Sequence, residues 1–570
     1  MNKHLRFLFL VVLWSGPLVA QNIPSQKILF NGKIFTSNPN QPFAEAVALS
    51  GDKIIAVGSL ADVQKTLKGN ATQIDLQGKF LLPGLIDSHN HALSGGKSLS
   101  AANVGDVWLA TPELAAYAEN ILKTRKGMRG DVILIEGMHS ATWAHVDELD
   151  ALFNGDAYRS QPVALRGSDG HTAWVNRVLL QRAGVDRAFI ASLNEQDRPF
   201  FGVDEKGEAS GRISEDGFNT IRKILPASAV DPYEAALAGV QHLNSLGITA
   251  WLDPATGSTG DGAQNKDLQL YEKLALQKKL TAHVAATVVA DGNGDIQKQI
   301  DVLKALQKHF NSVKDLSVLG FKIFADGVLE YPTQTAAVSI PYKNSGQYGS
   351  LMFEPAKFKN FVAKADQQQL LVHVHAIGDR AVTEALNAFA YTRTTNGNNT
   401  LPHSITHLQL VVPADFKRFA ALHVLASYQL LWATADTYTV ELVKPYIDSV
   451  LYSVHYPAKS MLDQGAVIAG ASDWPVSSAN PFEAIYVAET RLGKLGVLNL
   501  RESVPRADML KAYTLNAAGV LWNTNIGSIE PGKQADLVLV DRDVLTVSAE
   551  DVKTTQVLWT MFAGEMVYKR

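Results

Sequence analysis

The chain has 570 residues, which is too long for one simple domain, and we expect two or three domains. Its composition, with 46% hydrophobic and 19% charged residues, is ordinary for a soluble globular protein and excludes a disordered, collagen-like or coiled-coil chain. The formal net charge of −4 comes without a block of basic residues and gives no indication of a nucleic-acid partner, and the absence of cysteine excludes disulfides and thiolate metal ligands.

Residues 1–20 have the pattern of a secretory signal peptide. Lys3 and Arg6 form a positive start, residues 7–14 are an unbroken apolar run, and Ala20 suits cleavage. The apolar run is shorter than the roughly 20 residues that span a bilayer, so we expect no membrane anchor. The prediction is a secreted protein, periplasmic or extracellular, and a buried N-terminal helix is the alternative.

Residues 21–80 read as a small β domain, because Asn31-Gly32 and Gly51-Asp52 separate short apolar-rich runs in the way that hairpin turns do. Residues 526–570 have the same texture, with short β-like runs broken by glycine and proline. We predict that the two ends of the chain pair into one β-sandwich domain. Separate terminal domains are the alternative.

Residues 81–525 alternate β-like runs with helical stretches, which predicts an α/β fold with a closed parallel barrel and active residues at the carboxyl ends of its strands. The interval between the first two runs is too long for one crossover, so we predict an insertion over the barrel mouth within about residues 95–240. The first run is "KFLLPGLIDSHNH", and the seven others lie at residues 247–253, 281–289, 319–326, 370–378, 404–411, 423–429 and 466–473.

Polar residues recur at the ends of these predicted strands. His89 and His91 are two residues apart, and such residues share one face of a strand. Each polar residue alone has an ordinary explanation, such as a satisfied core histidine or an aspartate that caps the next helix. Their convergence on one rim of a barrel, however, predicts a metal site. The other candidates are Lys322 within a strand and His375, His407 and Asp473 at strand ends.

These motifs carry a resemblance to a known family. The chain resembles the amidohydrolase superfamily, specifically amidohydrolase family 3 enzymes of the N-substituted formamide deformylase type, over nearly all of its length after the signal peptide. The resemblance implies a TIM-like (β/α)8 metal-dependent hydrolase barrel beside a composite β-sandwich. The stretches that carry it are "LPGLIDSHNH", "SDGHTAWVN", "FKIFADG", "HAIGDRAV", "SDWPV" and "GSIEPGKQADLVLVD".

The resemblance also implies a set of metal ligands. Zinc is the first choice for imidazole and carboxylate ligands, with manganese or iron as alternatives. Burial of a lysine favours its neutral amine, which can react with carbon dioxide to form a carbamate. A site with two metals bridged by the carbamate is favoured, whereas an unmodified lysine would favour a single metal. The implied ligands are His89 and His91 on one metal, His375 and His407 on a second, carboxylated Lys322 as the bridge, and Asp473 as both ligand and catalytic base.

Further residues are candidates for contact with a substrate. His171, in "SDGHTAWVN", is a second catalytic candidate that could polarise a substrate carbonyl, and a structural loop histidine is the alternative. His373 shares the face of His375 one layer deeper, where we expect it to support a ligand or to pack in the core. The predicted pocket residues are Trp143, Asp326, Tyr428 and Trp432, with core packing as the alternative for the aromatic side chains.

The sequence departs from the family pattern near the predicted ligands. Thr406 stands where many relatives have glutamate, no proline follows Gln429, and "FADGVLEYPTQTAAV" differs from the usual small-residue and arginine run. The predicted metal ligands themselves match the family pattern. The chemistry of the family can therefore be expected of this chain, whereas the family's substrates are a weaker guide to its own substrate.

The predicted function is hydrolysis of a non-peptide C–N bond by metal-activated hydroxide, with Asp473 as the general base and a small-molecule linear amide as the substrate. A cyclic amidase, a deaminase or an esterase on the same metal site is the alternative within enzymes. A catalytically inactive secreted binding or regulatory protein is the alternative outside enzymes, and the complete ligand set argues against it. A homodimer is compatible with the sequence.

Overall fold

A computed structural model describes residues 25–67, 70–226, 230–262, 264–291, 294–397 and 401–570. The predicted signal peptide, residues 1–20, lies outside these ranges. Among the helices within them, none has the length and apolar character that crossing a membrane would require.

An eight-stranded parallel sheet forms the centre of the molecule, and each strand pairs with its neighbours in chain order. The sheet is almost closed into a barrel, because the backbone N–H of Ser88, just after the first strand, donates to the carbonyl of Gly470 in the last strand at 2.9 Å. The predicted barrel is therefore confirmed. Its strands are β1 (Leu85–Asp87), β2 (Ile248–Asp253), β3 (His283–Val289), β4 (Leu316–Phe324), β5 (Leu371–Ala376), β6 (His403–His407), β7 (Val424–Tyr428) and β8 (Ile468–Gly470).

Helices connect the barrel strands, and the helix before β4 illustrates why they form. Asp295 caps its N-terminus by accepting from the backbone N–H groups of Gln297 and Lys298, and its apolar residues recur every three or four positions and are buried. The helices that connect and follow the barrel strands are Ala92–Ser100, Pro232–Ser245, Lys266–Leu276, Ile296–Phe310, Pro355–Gln367, Asp379–Asn396, Pro413–Ala421, Ser449–Ser453, Ala458–Asp463, Pro481–Thr490, Arg506–Lys511 and Ala517–Val520.

The N-terminal part of the chain forms one further sheet and joins the C-terminal part in a second sheet. Side chains of the two sheets share one buried cluster, in which Leu29 and Val47 of the first sheet pack with Leu81 and Leu537 of the second. The second sheet extends to Pro83, three residues beyond the predicted boundary. In order, the first sheet contains Lys53–Gly58, Ala46–Ser50, Gln26–Phe30 and Thr72–Asp75, and the second contains Glu565–Lys569, Val557–Phe562, Leu537–Val540, Phe80–Pro83, Lys33–Phe35 and Phe43–Ala44. The helices Leu60–Thr66 and Ala549–Lys553 accompany these sheets.

The residues between β1 and β2 contain a separate seven-stranded sheet with apolar clusters of its own. Thr172 of this insertion lies 3.0 Å from Thr333, between the two hydroxyl oxygens, and Thr333 belongs to the loop that follows β4. The insertion therefore contacts the barrel at the carboxyl ends of its strands. Its strands are Asn103–Val107, Met128–Arg129, Val132–Met138, Val163–Gly167, Thr172–Val175, Phe201–Val203 and Ala209–Ser214, and its α-helices are Thr111–Thr124, Val146–Phe153, Arg177–Ala183, Arg187–Ser192 and Phe218–Arg222.

A buried histidine joins the barrel to the terminal sheets. His283, the first residue of β3, places Nδ1 2.9 Å from an oxygen of Asp315 and Nε2 3.0 Å from an oxygen of Asp536, beside the strand Leu537–Val540. Burial alone would lower the pKa of His283, but the two aspartates outweigh burial and raise this pKa to about 9. His283 is therefore a positively charged link between two parts of the molecule at neutral pH.

We expect this link to make stability depend on pH in the alkaline range. A histidine whose pKa is raised on folding adds to the free energy of unfolding, and it adds the full amount below its unfolded pKa of about 6.5. This contribution, at most about 3 kcal/mol, is lost as the pH rises through about 9. Thermal unfolding midpoints of the wild type and His283→Gln across this window measure it. The unfolding midpoint of the wild type should exceed that of His283→Gln by less and less as the pH rises. A difference between the two midpoints that stays constant would contradict the positive charge of His283.

Candidate metal centre

Two loops at the rim of the barrel bring His89, His91 and Asp473 together. The Nε2 atoms of the two histidines lie 3.2 and 3.1 Å from Oδ1 of Asp473. The loops are also joined through their backbones, since Asp473 N–H donates to the His89 carbonyl at 2.8 Å. Strand β1 ends at Asp87, so both histidines lie beyond it, and His91 directly precedes the helix Ala92–Ser100. Their common direction arises from this turn and not from the strand alternation assumed from the sequence.

Asp87, at the end of β1, organises the two loops and was missed from the sequence. Its carboxylate accepts from the backbone N–H of His89 at 3.2 Å, from Asn90 Nδ2 at 2.8 Å, and from both the backbone N–H and the hydroxyl of Ser472. Burial raises the pKa of Asp87 to about 6, although these hydrogen bonds oppose the shift. The signal for this role was limited to its position two residues before His89, because Ser472 is remote in the chain.

His375 and His407 lie at the ends of the neighbouring strands β5 and β6, with ring centroids 4.5 Å apart. Nε2 of His375 lies 3.0 Å from the Gly327 carbonyl, and Nδ1 of His407 lies 3.2 Å from Oε1 of Gln429. Both partners are acceptors, so these nitrogens carry the protons, and the other nitrogen of each ring is available for a metal. The ring of Trp432 stacks on His407 at an interplanar angle of 4°.

The ligands are supported by side chains beneath them. Nδ1 of His89 lies 2.6 Å from Nε2 of His373, whose Nδ1 lies 2.7 Å from the hydroxyl of Ser404. The contact with His373 leaves Nε2 of His89 available, as the orientation of a metal-binding histidine requires. The backbones of His407 and Asp473 adopt left-handed conformations with φ of 77° and 57°, which are uncommon for residues other than glycine, although aspartate and histidine adopt them more often than most, and such conformations concentrate at functional sites.

Lys322 lies within β4 and is 1% exposed. Burial lowers its pKa to about 7, although the charge of Asp473 opposes the shift. A large fraction of the side chain is therefore a neutral amine at neutral pH, which is the form that reacts with carbon dioxide.

The insertion contributes His171 to the same site. Its ring centroid lies 5.5 Å from that of His375, and its Nδ1 lies 2.7 Å from a carboxylate oxygen of Glu215. Burial would lower the pKa of His171, but Glu215 outweighs burial and raises it to about 9. The other oxygen of Glu215 accepts from the hydroxyl of Thr335 at 2.8 Å. Glu215, 44 residues from His171, carried no sequence signal of this role.

The structure thus brings the predicted catalytic and metal-binding residues to one cavity of about 2140 Å³, although their roles remain predictions. Trp432, one of the four predicted pocket residues, also lines this cavity. The seven residues are His89, His91, His171, Lys322, His375, His407 and Asp473.

Three predicted pocket residues are not among those that line this cavity in the described structure, so their contact with a substrate stays a prediction. Trp143 packs in an apolar cluster of the insertion. Tyr428 is 0% exposed, and its hydroxyl lies 3.2 Å from the sulfur of Met461. Asp326 accepts backbone N–H groups of Ala337, Ile377 and Gly378, so its carboxylate fixes the loops behind His375.

The residues present fit a divalent metal. The potential ligand atoms of His89, His91 and Asp473 all lie within 4.8 Å of one another, and Oδ1 of Asp473 is buried without a hydrogen-bond donor. Burial would raise the pKa of Asp473, but His91 and other neighbours outweigh it, so the carboxylate is ionised. Burial also holds the pKa values of His89, His375 and His407 well below the usual range, so these imidazoles are neutral, as metal ligands are.

A parallel barrel that gathers imidazoles, a carboxylate and a buried lysine at the carboxyl ends of its strands defines the class of metal-dependent hydrolases. Comparison with known proteins agrees with this class. The amidohydrolase family profile matches residues 72–568. The chain therefore belongs to the amidohydrolase family, as its motifs predicted, and this family implies a divalent metal.

Individual relatives cover almost the whole chain. Protein LONG AFTER FAR-RED 3 of Arabidopsis thaliana is 28% identical, covering 96% of this chain and 92% of that protein. N-substituted formamide deformylase of Arthrobacter pascens is 24% identical, covering 95% of this chain and 98% of that protein. The crystal structure of an uncharacterized metal-dependent hydrolase from Pyrococcus horikoshii OT3 is 26% identical with a TM-score of 0.69, covering 92% of this chain and 99% of that chain.

Proposed function

We propose that this protein hydrolyses a non-peptide C–N bond, namely a linear amide of a small molecule. The observation that carries the proposal is Oδ1 of Asp473, a buried carboxylate oxygen without a hydrogen-bond donor, placed where His89 and His91 converge. The name of the Arthrobacter pascens relative, a deformylase of N-substituted formamides, supports a linear amide as the substrate.

A metal held by these residues would polarise a carbonyl and lower the pKa of a water molecule. Asp473, ionised beside the histidines, accepts a proton from the attacking water and transfers it to the leaving nitrogen. His171, kept protonated by Glu215, stabilises the negative charge that develops on the carbonyl oxygen. We propose that two zinc ions would bind here and that carboxylated Lys322 would be the ligand they share. We also propose that residues 1–20 direct export of the protein.

Assay of the purified protein, loaded with zinc, tests the reaction. Matched substrates with one leaving amine and different acyl groups are compared with a cyclic amide, an ester and an aminopurine, and released amine is measured. We expect linear amides to give the highest kcat/KM, and we expect a chelator to abolish turnover and added zinc to restore it. Preferred turnover of any other class contradicts the proposal, and full metal content without turnover favours a binding protein.

A further inference from the structure

The cavity contains a carboxylate that the proposed reaction does not use. Glu330 lies on the loop that follows β4, three residues after Gly327, whose carbonyl accepts from His375. The next residue, Tyr331, stacks on Tyr446 with ring centroids 4.3 Å apart, and its backbone N–H donates to a carbonyl of a neighbouring loop. The backbone that carries Glu330 is therefore held in place at the wall of the cavity that contains the proposed metal ligands.

Glu330 has no ion-pair partner of its own among the described residues. The side chain of Gln409 and the charges of Asp169 and His171 all affect the pKa of Glu330, and His171 is already paired with Glu215. Among the described residues, no lysine or arginine forms a salt bridge with Glu330. Burial therefore raises the pKa of Glu330 to about 7, although the hydrogen bonds oppose the shift.

A second acceptor in the same cavity has no partner. Gln409 lines the cavity and is only 3% exposed, and its Oε1 is buried without a hydrogen-bond donor. Leaving a buried acceptor unsatisfied is unfavourable, so a bound group that supplies N–H donors would be favoured here. A donor that also carries positive charge suits both the Glu330 carboxylate and the free amide oxygen of Gln409.

We propose that Glu330 and Gln409 form a subsite for a protonated amine, so that the preferred substrates are linear amides that carry an ammonium group. This inference rests on the proposed amide hydrolysis. An ammonium offers three N–H donors and one positive charge, and it can satisfy the Glu330 carboxylate and Gln409 Oε1 together. Glu330 also lies in "FADGVLEYPTQTAAV", where the sequence departs from the family pattern, as a residue that selects a particular substrate would.

Binding of small probes tests the subsite without catalysis. Titration calorimetry on the zinc-loaded protein compares n-butylammonium with n-butanol, which has a similar shape and no charge. We expect the wild type to bind the ammonium about tenfold more tightly or better, because hydrogen bonds between charged groups are stronger than those of a neutral hydroxyl. Glu330→Gln should abolish this difference. Glu136→Gln removes another carboxylate that lines the cavity and should preserve the difference. Equal binding of both probes by the wild type overturns the subsite.

Kinetics with matched amides connects the subsite to the reaction. Mono-N-formylputrescine carries an ammonium group, and N-formylpentylamine is its neutral counterpart. We expect the ratio of their kcat/KM values to be about ten or more in the wild type and in Glu136→Gln, and to fall to about one in Glu330→Gln. Hydrolysis of both amides without a preference overturns the subsite and leaves the proposed function intact. If neither is hydrolysed, formyl is not an acyl group that this protein removes, the comparison is repeated with the acyl group preferred in the assay above, and the binding experiment still decides the subsite.

Discussion

Replacing Asp473 with asparagine is expected to leave the protein folded and loaded with metal while lowering kcat by roughly 10²–10⁴-fold. Asparagine has almost the same shape and keeps an oxygen where Oδ1 now lies, 3.1 to 3.2 Å from the nitrogens of His91 and His89. An amide, however, cannot take a proton from water or return it to a leaving nitrogen. Metal content by elemental analysis and kcat on a linear amide, measured on the same preparation, separate the two effects.

Asp216→Asn is the matched control, because Asp216 also lines the cavity but is exposed on the insertion. This variant should retain the kcat of the wild type. An Asp473→Asn variant whose kcat stays within a few-fold of the wild type would refute the role of Asp473 as the base. If the variant instead loses metal, its kcat after saturation with zinc decides whether coordination or proton transfer had been removed.

The barrel could be predicted because its eight strands are short buried runs that alternate with helical patterns along the chain. The rim residues followed from the rule that parallel strands present their carboxyl ends at one edge. His89 and His91 show the limit of that rule, because β1 ends at Asp87 and the turn beyond it sets their direction. The local pattern thus predicted that these two side chains meet, but it did not predict the backbone conformation that brings them together.

Partners supplied by remote parts of the chain could not be predicted. Glu215 pairs with His171, and Asp87 accepts a hydrogen bond from Ser472, only because folding brings separate loops together. The same reason explains why the sequence could not distinguish a core position from a cavity wall for two aromatic residues. Trp143 and Tyr428 are apolar side chains whose sequence context is the same for a core position and for a cavity wall, and only the packing around them distinguishes the two.

Replacing Lys322 is expected to cost more activity than the roughly 10–100-fold that loss of an outer partner of a metal ligand costs, because Lys322 would be a direct ligand. Without the carbamate, Asp473 would be the only anionic group among the proposed ligands, too little charge to offset two dications. We therefore expect Lys322→Met, in which an apolar side chain of similar length fills the buried site, to fold normally and to bind at most one metal. Elemental analysis and kcat/KM measure both effects.

Lys322→Ala is the informative companion, because it leaves a space beside the ligands that methionine fills. If a carbamate bridges the metals, acetate or propionate should enter this space and restore part of the metal content and activity in Lys322→Ala, but not in Lys322→Met. Isotope-labelled bicarbonate should add a carbamate carbon signal to the NMR spectrum of the wild type that neither variant shows. A wild type without this signal that binds one metal per chain would contradict the bridge, and the unmodified amine of Lys322 would then act beside a single metal.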